Sequence, residues 1–241
     1  MPAGGAALHQ RRAVALGSRA QRGNAPVTAH DALPIAPSHL AHPWHGISPG
    51  AQAPVVLTVY IEIVPTDTVK YEVDKLSGHL RVDRPQKYSA LCPALYGFVP
   101  RTLCGDAVGA FAASRAGRPD VAGDGDPMDV CVLTEREINR GGVIVTARPI
   151  GGFRMFDGSE ADDKILAVLE GDAAYGGFRD LGDCPPALVE RLRHYFLTYK
   201  DMPGAEPRHT EITHVYGAAE AREVVRHSLE DYRRRFEGAG P

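Results

Sequence analysis

The sequence predicts a mainly β protein with added helices (α+β), a small β-barrel with two helices appended at its C-terminal end. Three observations lead there. Runs of β-branched and aromatic residues recur from about residue 55 to residue 169. Turns rich in Gly, Pro, Asp and Ser separate them. Sustained helical periodicity appears only after residue 183, once the strands have ended. The chain of 241 residues has room for one sizeable domain and a tail. Its net charge of −3 argues against a general nucleic-acid binder, which would be basic. No stretch approaches the ~18 apolar residues of a membrane span. Cys92, Cys104, Cys131 and Cys184 form no CxxC pair, so reduced thiols in a cytoplasmic protein are expected.

Residues 1–50 differ from the rest. Asp31 is their only acid, against four arginines, and Ala, Gly and Pro dominate. Such a segment buries too little apolar surface to offset its ordering entropy, so disorder is expected to about Pro37. The reading is a loosely packed extension over 1–50 and a folded domain over 51–241. Within the extension, His39, His42 and His45 surround Trp44, the sole tryptophan. A histidine metal site is less favoured there than a tail packing its indole on the domain.

Val55–Val64 and Val69–Val73 read as a hairpin around Pro65-Thr66-Asp67-Thr68. Alternation places Lys70 and Glu72 on one face. Leu80–Arg84 is a third strand, ended by Pro85. Residues 97–123, with five glycines and two prolines, read as a long loop with a short helical turn near Ala110–Arg115. Strands follow at Val130–Leu133, Val143–Arg148 and Ile165–Leu169. Asp183, with prolines after it, is the expected N-cap of a helix carrying Leu188, Leu192, Tyr195, Phe196 and Tyr199. A last helix over Ala218–Phe236 presents Ala221, Val224, Val225, Leu229 and Tyr232, with Arg233–Arg235 as a solvated end.

Two acidic stretches carry the chemistry. Asp124-Gly125-Asp126-Pro127-Met128-Asp129 packs three carboxylates into six residues just before a core strand. Carboxylates so close resist joint ionisation unless water or cations offset them. Asp157 and the run Glu160-Ala161-Asp162-Asp163 form the second stretch. Oxygen donors without thiolate or imidazole point to Mg²⁺ or Mn²⁺ rather than zinc. An EF-hand is excluded, because Met128 and Asp129 stand where its loop needs a ligand and then a glycine. Lys70, Arg84, Tyr96, Lys164, Tyr199 and Lys200 add cationic and hydroxyl groups at element ends. The set describes a pocket for a highly charged phosphate ester or anhydride.

Asp124-Gly125-Asp126-Pro127-Met128-Asp129-Val130 resembles the DGDPxDV motif of family I soluble inorganic pyrophosphatases. Lys70–Asp74, Val82-Asp83-Arg84, Leu95–Phe98, Asp157–Lys164 and His194–Asp201 resemble other blocks of that family, in the same order. The resemblance implies an OB-like five-stranded barrel and Mg²⁺-dependent hydrolysis of pyrophosphate. It implies that Asp124, Asp129 and Asp162 hold one metal ion, with Asp129 bridging to a second. Asp126 would deprotonate the water between them. Asp157 would serve a third ion, Glu72 a fourth, and Glu62 would act through waters. Lys70, Arg84, Tyr199 and Lys200 would bind phosphate oxygens, Lys164 would balance the carboxylates at the substrate side, and Tyr96 would hydrogen-bond near the nucleophile. Homo-oligomers, hexamers above all, are implied as well. The chain departs from the pattern at Cys92, where many bacterial members have tyrosine, so that hydroxyl is either missing or supplied elsewhere, with Tyr88 as the candidate. It departs again in the longer 97–123 segment. An OB-fold binding module without catalysis and a broader nucleotide or polyphosphate phosphatase are the competing readings.

Overall fold

In the computed structural model, residues 40–200 and 210–238 are described, so the disorder expected to Pro37 lies outside the described residues. The elements are β1 (Leu57–Ile63), β2 (Val69–Val73), β3 (Leu80–Pro85), β4 (Leu95–Phe98), α1 (Asp106–Ala116), β5 (Ala122–Gly123), β6 (Asp129–Leu133), β7 (Val143–Asp157), β8 (Glu160–Ala161), β9 (Lys164–Leu169), α2 (Pro186–Thr198), β10 (Thr210–Gly217) and α3 (Ala218–Tyr232). β1 lies antiparallel between β4 and β7; β4 continues to β6, β6 pairs parallel with β9, and β9 pairs antiparallel with β7. Five strands thus close a ring, as expected of a small barrel. The ring is uneven. β7 serves β1 with its first third, β9 with its middle, and β10 with Gly151–Asp157.

β6 and β9 are buried on both faces, which suits their unbroken apolar sequences. Val130, Val132, Ile165 and Ala167 face one core, shared with Ala221, Val224 and Val225 of α3. The alternate residues Cys131, Leu133, Leu166 and Val168 face a second, covered by Leu192, Tyr195 and Phe196 of α2. Fully burying each such aliphatic side chain contributes about 1.5–3 kcal/mol.

The structure corrects the sequence reading at several places. The hairpin is β2–β3, a separate two-stranded sheet, while β1 pairs with β4 and β7 instead. The 97–123 segment contains an eleven-residue helix, α1, rather than a turn. That helix has no large apolar stripe to reveal it, and its N-terminal cap is remote. Asp231 of α3 accepts hydrogen bonds from the N–H groups of Gly105, Ala107 and Val108 at 3.1, 2.9 and 3.0 Å. β10 separates the two expected C-terminal helices, although its sequence had been assigned no strand. α2 starts after Pro185, and Asp183 belongs to a preceding 3₁₀ turn.

Trp44 packs as expected. It is 6% exposed, lies against Tyr232 and Phe236, and donates its indole N–H to the Thr102 carbonyl at 2.7 Å. Gly97 marks the closest strand contact, since a Cβ there would sit 1.8 Å from the Tyr60 carbonyl oxygen. Gly97→Ala is therefore expected to cost on the order of 3 kcal/mol, read as a shift of the urea midpoint with the slope unchanged.

Candidate active site

The parallel β6–β9 pair is the feature that assembles the site. Its register sets Val130 opposite Ile165, so Asp129 and Lys164, one residue earlier on each strand, start at the same end. The two acidic stretches, distant in sequence, therefore meet there.

The first stretch is held by its backbone. Gly125 has φ +78°, a conformation that a side chain disfavours. Asp126 donates its N–H to Asp124 Oδ1 at 2.9 Å. The Gly125 N–H donates to the Cys104 carbonyl at 2.9 Å, and the Cys104 N–H to the Asp126 carbonyl at 2.7 Å. Met128 donates to Thr102 Oγ1 at 2.9 Å. With the main chain tied down, the Asp126 and Asp129 carboxylates line an open cleft together with Glu62, Lys70, Glu72 and Tyr96.

Asp129 sits at the centre of the polar contacts. Tyr96 donates its hydroxyl to Asp129 Oδ2 at 2.6 Å. The buried Lys164 ammonium pairs with both Asp129 and Asp162. Lys75 pairs with Asp126. On the β2–β3 hairpin Lys70 lies 3.4 Å from Glu72 and 3.2 Å from Asp83, and Arg84 donates to Asp83 at 2.5 Å. At the rim Lys200 donates to Asp157 at 2.5 Å, and Tyr199 stacks on Tyr195 with 5.1 Å between ring centroids.

Burial, reinforced by Asp162, pushes the Asp124 carboxyl up to about 7. Burial also raises Asp162 despite the Lys164 ammonium beside it. The same cause lifts Glu62 to about 8, although the Val73 N–H donates to it at 2.6 Å. Burial opposes the charge on Lys164, but Asp129 and Asp162 outweigh it and hold the ammonium protonated. Tyr96 is raised by burial and then by Asp129 and Asp162, so it stays a donor. Burial and mutual repulsion disfavour the ionised form of Asp124, Asp162 and Glu62, and their donors are all hard oxygens. That chemistry fits an added Mg²⁺ or Mn²⁺.

Most of the sequence-predicted residues converge, with differences of detail. Among the described residues no three Asp, Glu, His or Cys side chains close on one point as a ready-made ligand set; ammonium groups stand between the carboxylates instead. Arg84 faces Asp83 rather than the cleft lining. Asp163, part of the second acidic stretch, points away into the core, where it meets Arg154 at 3.2 Å and the Tyr216 hydroxyl at 2.9 Å. Tyr88 is 72% exposed, and Cys92 is buried beside Cys131 and Tyr195. Asp201, the end of the last resembling block, lies outside the described residues. Lys75 escaped the sequence reading, and Asp83, although within a resembling block, was given no role there. The lysine lies five positions after Lys70 across a turn, a spacing without strand or helix period.

Residues 59–233 match a family model described as inorganic pyrophosphatase. An inorganic pyrophosphatase of Chlamydia muridarum is 49% identical over 200 residues, covering 81% of this chain and 96% of that protein. A soluble inorganic pyrophosphatase of Oryza sativa is 36% identical over 192 residues, 80% of this chain and 79% of the relative. The crystal structure of inorganic pyrophosphatase from Thermus thermophilus superposes with a TM-score of 0.66 at 27% identity, covering 80% of this chain and 99% of that one.

Proposed function

The chain belongs to the inorganic pyrophosphatase family and hydrolyses inorganic pyrophosphate, and from that premise we propose that the reaction runs on Mg²⁺ in the cleft where the two acidic stretches meet. The observation that carries the proposal is the shared end of β6 and β9, where Lys164 contacts both Asp129 and Asp162. Asp124, Asp129 and Asp162 would hold the tightest ion, Asp157 and Glu72 further ones, and Glu62 would act through water. Bound there, such ions neutralise phosphate oxygens and lower the pKa of water.

The side chains divide the remaining work. Lys70, Arg84, Tyr199 and Lys200 offer donors to the phosphate oxygens, and the Arg84 fork suits a phosphate best. Asp126 accepts the proton of the attacking water. The water oxygen bonds one phosphorus as the bridging P–O bond breaks, and the bridge leaves with the second phosphate. Tyr96 keeps Asp129 oriented through its short hydrogen bond. Lys164 limits the mutual repulsion of Asp129 and Asp162, which would otherwise open the site before substrate arrives.

The four cysteines are free and buried, which suits a cytoplasmic setting. Among the described residues no helix is long and apolar enough to cross a membrane. Family resemblance further supports a homo-oligomer. Phosphate release from pyrophosphate and from ATP, compared with Mg²⁺, tests the substrate assignment. Pyrophosphate is expected to be preferred by roughly a hundred-fold or more in kcat/KM. Comparable turnover of ATP would instead favour a broader phosphatase.

A further inference from the structure

The β2–β3 hairpin carries Lys70, Glu72, Lys75 and Arg84, yet it belongs to neither edge of the main sheet. Something must fix its distance from the acidic stretch at Asp124–Asp129. Residues 42–45 bridge the two. On one side the His42 ring packs on the hairpin turn, where a Cβ on Gly78 would meet His42 Cδ2 at 2.9 Å and Pro43 Cδ at 3.0 Å. His42 Nε2 lies 3.2 Å from the Lys75 carbonyl oxygen, which only accepts, so Nε2 bears the proton. Nδ1 then accepts from the Trp44 and His45 N–H groups at 3.2 and 3.3 Å, and one tautomer satisfies all three contacts. On the other side Trp44 donates to the Thr102 carbonyl, and Thr102 Oγ1 accepts from the Met128 N–H within the acidic stretch. The indole also lines the cleft beside Lys75, Asp126 and Pro127.

We propose that His42, Pro43 and Trp44 form a strap that positions the substrate-binding hairpin over the acidic stretch, and that Lys75, the side chain it aims into the cleft, binds a phosphate oxygen of the substrate. This rests on the pyrophosphate reading of the cleft. The Lys75 stem leaves a turn whose carbonyl is clamped, while its side chain is 49% exposed and its ammonium reaches Asp126. Such a half-exposed pair is weak, so the ammonium can transfer to a more highly charged phosphate and leave Asp126 free to accept a proton. Strap and lysine act as one device, because loosening the turn moves the point from which Lys75 reaches.

Steady-state kinetics on the full chain with pyrophosphate, paired with hydrogen exchange, separates positioning from general stability. Lys75→Met is expected to raise KM about ten-fold, with the loss falling on KM rather than kcat, and Lys75→Arg to recover most of it. His42→Ala and Trp44→Phe are expected to raise KM likewise and to speed exchange at residues 69–85 while β6 and β9 keep their protection. An unchanged KM in Lys75→Met overturns the binding role. Uniformly faster exchange across the barrel in both strap variants, with kcat and KM equally impaired, overturns the positioning role. A wild-type protein that does not turn over pyrophosphate overturns the parent reading instead.

Discussion

Asp126→Asn is expected to lower kcat for pyrophosphate about a thousand-fold, the middle of the range for removing a positioned general base. The substitution keeps shape and volume. Its backbone contacts, the N–H to Asp124 and the carbonyl to Cys104, do not involve the side chain that changes. The one ion pair lost is to Lys75; Asp126 is 47% exposed, so the stability change should stay within about 1 kcal/mol. Normal thermal unfolding together with a collapse of kcat would place Asp126 in the proton transfer. A variant of full activity would move that role to another residue, whatever the family.

Lys164→Met should produce the second-largest effect, and on two observables. Lys164 is 2% exposed and touches two carboxylates. Removing one partner of a fully buried pair costs about 3–5 kcal/mol, because the remaining charge is left uncompensated. Asp129 and Asp162 keep some solvent contact, so about 2–3 kcal/mol is the expectation without divalent cation, measured by denaturant unfolding in EDTA. Millimolar Mg²⁺ should then stabilise the variant more than the wild type, since a cation offsets the same two carboxylates and ligand binding adds to stability by mass action. Activity is expected to fall about a hundred-fold through misplacement of Asp129. Equal stabilisation of variant and wild type by Mg²⁺ would mean that Asp129 and Asp162 do not share a cation.

The site was more legible in the sequence than the fold around it, and for physical reasons. Asp124–Asp129 is a contiguous signal, with its glycine at φ +78° and its proline written into the chain. The unbroken apolar runs Val130–Leu133 and Ile165–Leu169 marked strands correctly, and the two cores they divide account for both C-terminal helices. What periodicity does not encode is partnership. Nothing local indicates that β1 pairs with β4 and β7 while β2 turns to β3. α1 is built from small residues and capped by Asp231, more than a hundred positions away, so neither its stripe nor its start is visible locally. β10 does alternate, but its fit depends on close approach to β7, where a Cβ on Gly152 would lie 2.5 Å from the Tyr216 ring. Lys75 was missed for the same reason: its place beside Asp126 follows from a turn clamped by His42, a contact across 33 positions.

Cys92 brings no hydroxyl to the candidate site. The thiol is buried beside Cys131 and Tyr195, and the Tyr96 hydroxyl is the donor that reaches Asp129. Orientation of Asp129 therefore depends on Tyr96 and Lys164.

Carboxylates from the two acidic stretches are proposed to form one divalent-cation site that drives pyrophosphate hydrolysis. Phosphate release from pyrophosphate, measured across a Mg²⁺ titration and again in excess EDTA, tests it most directly. Turnover is expected to rise with Mg²⁺, to be abolished by EDTA, and to be restored when Mg²⁺ is returned. Turnover that persists undiminished in EDTA would contradict it.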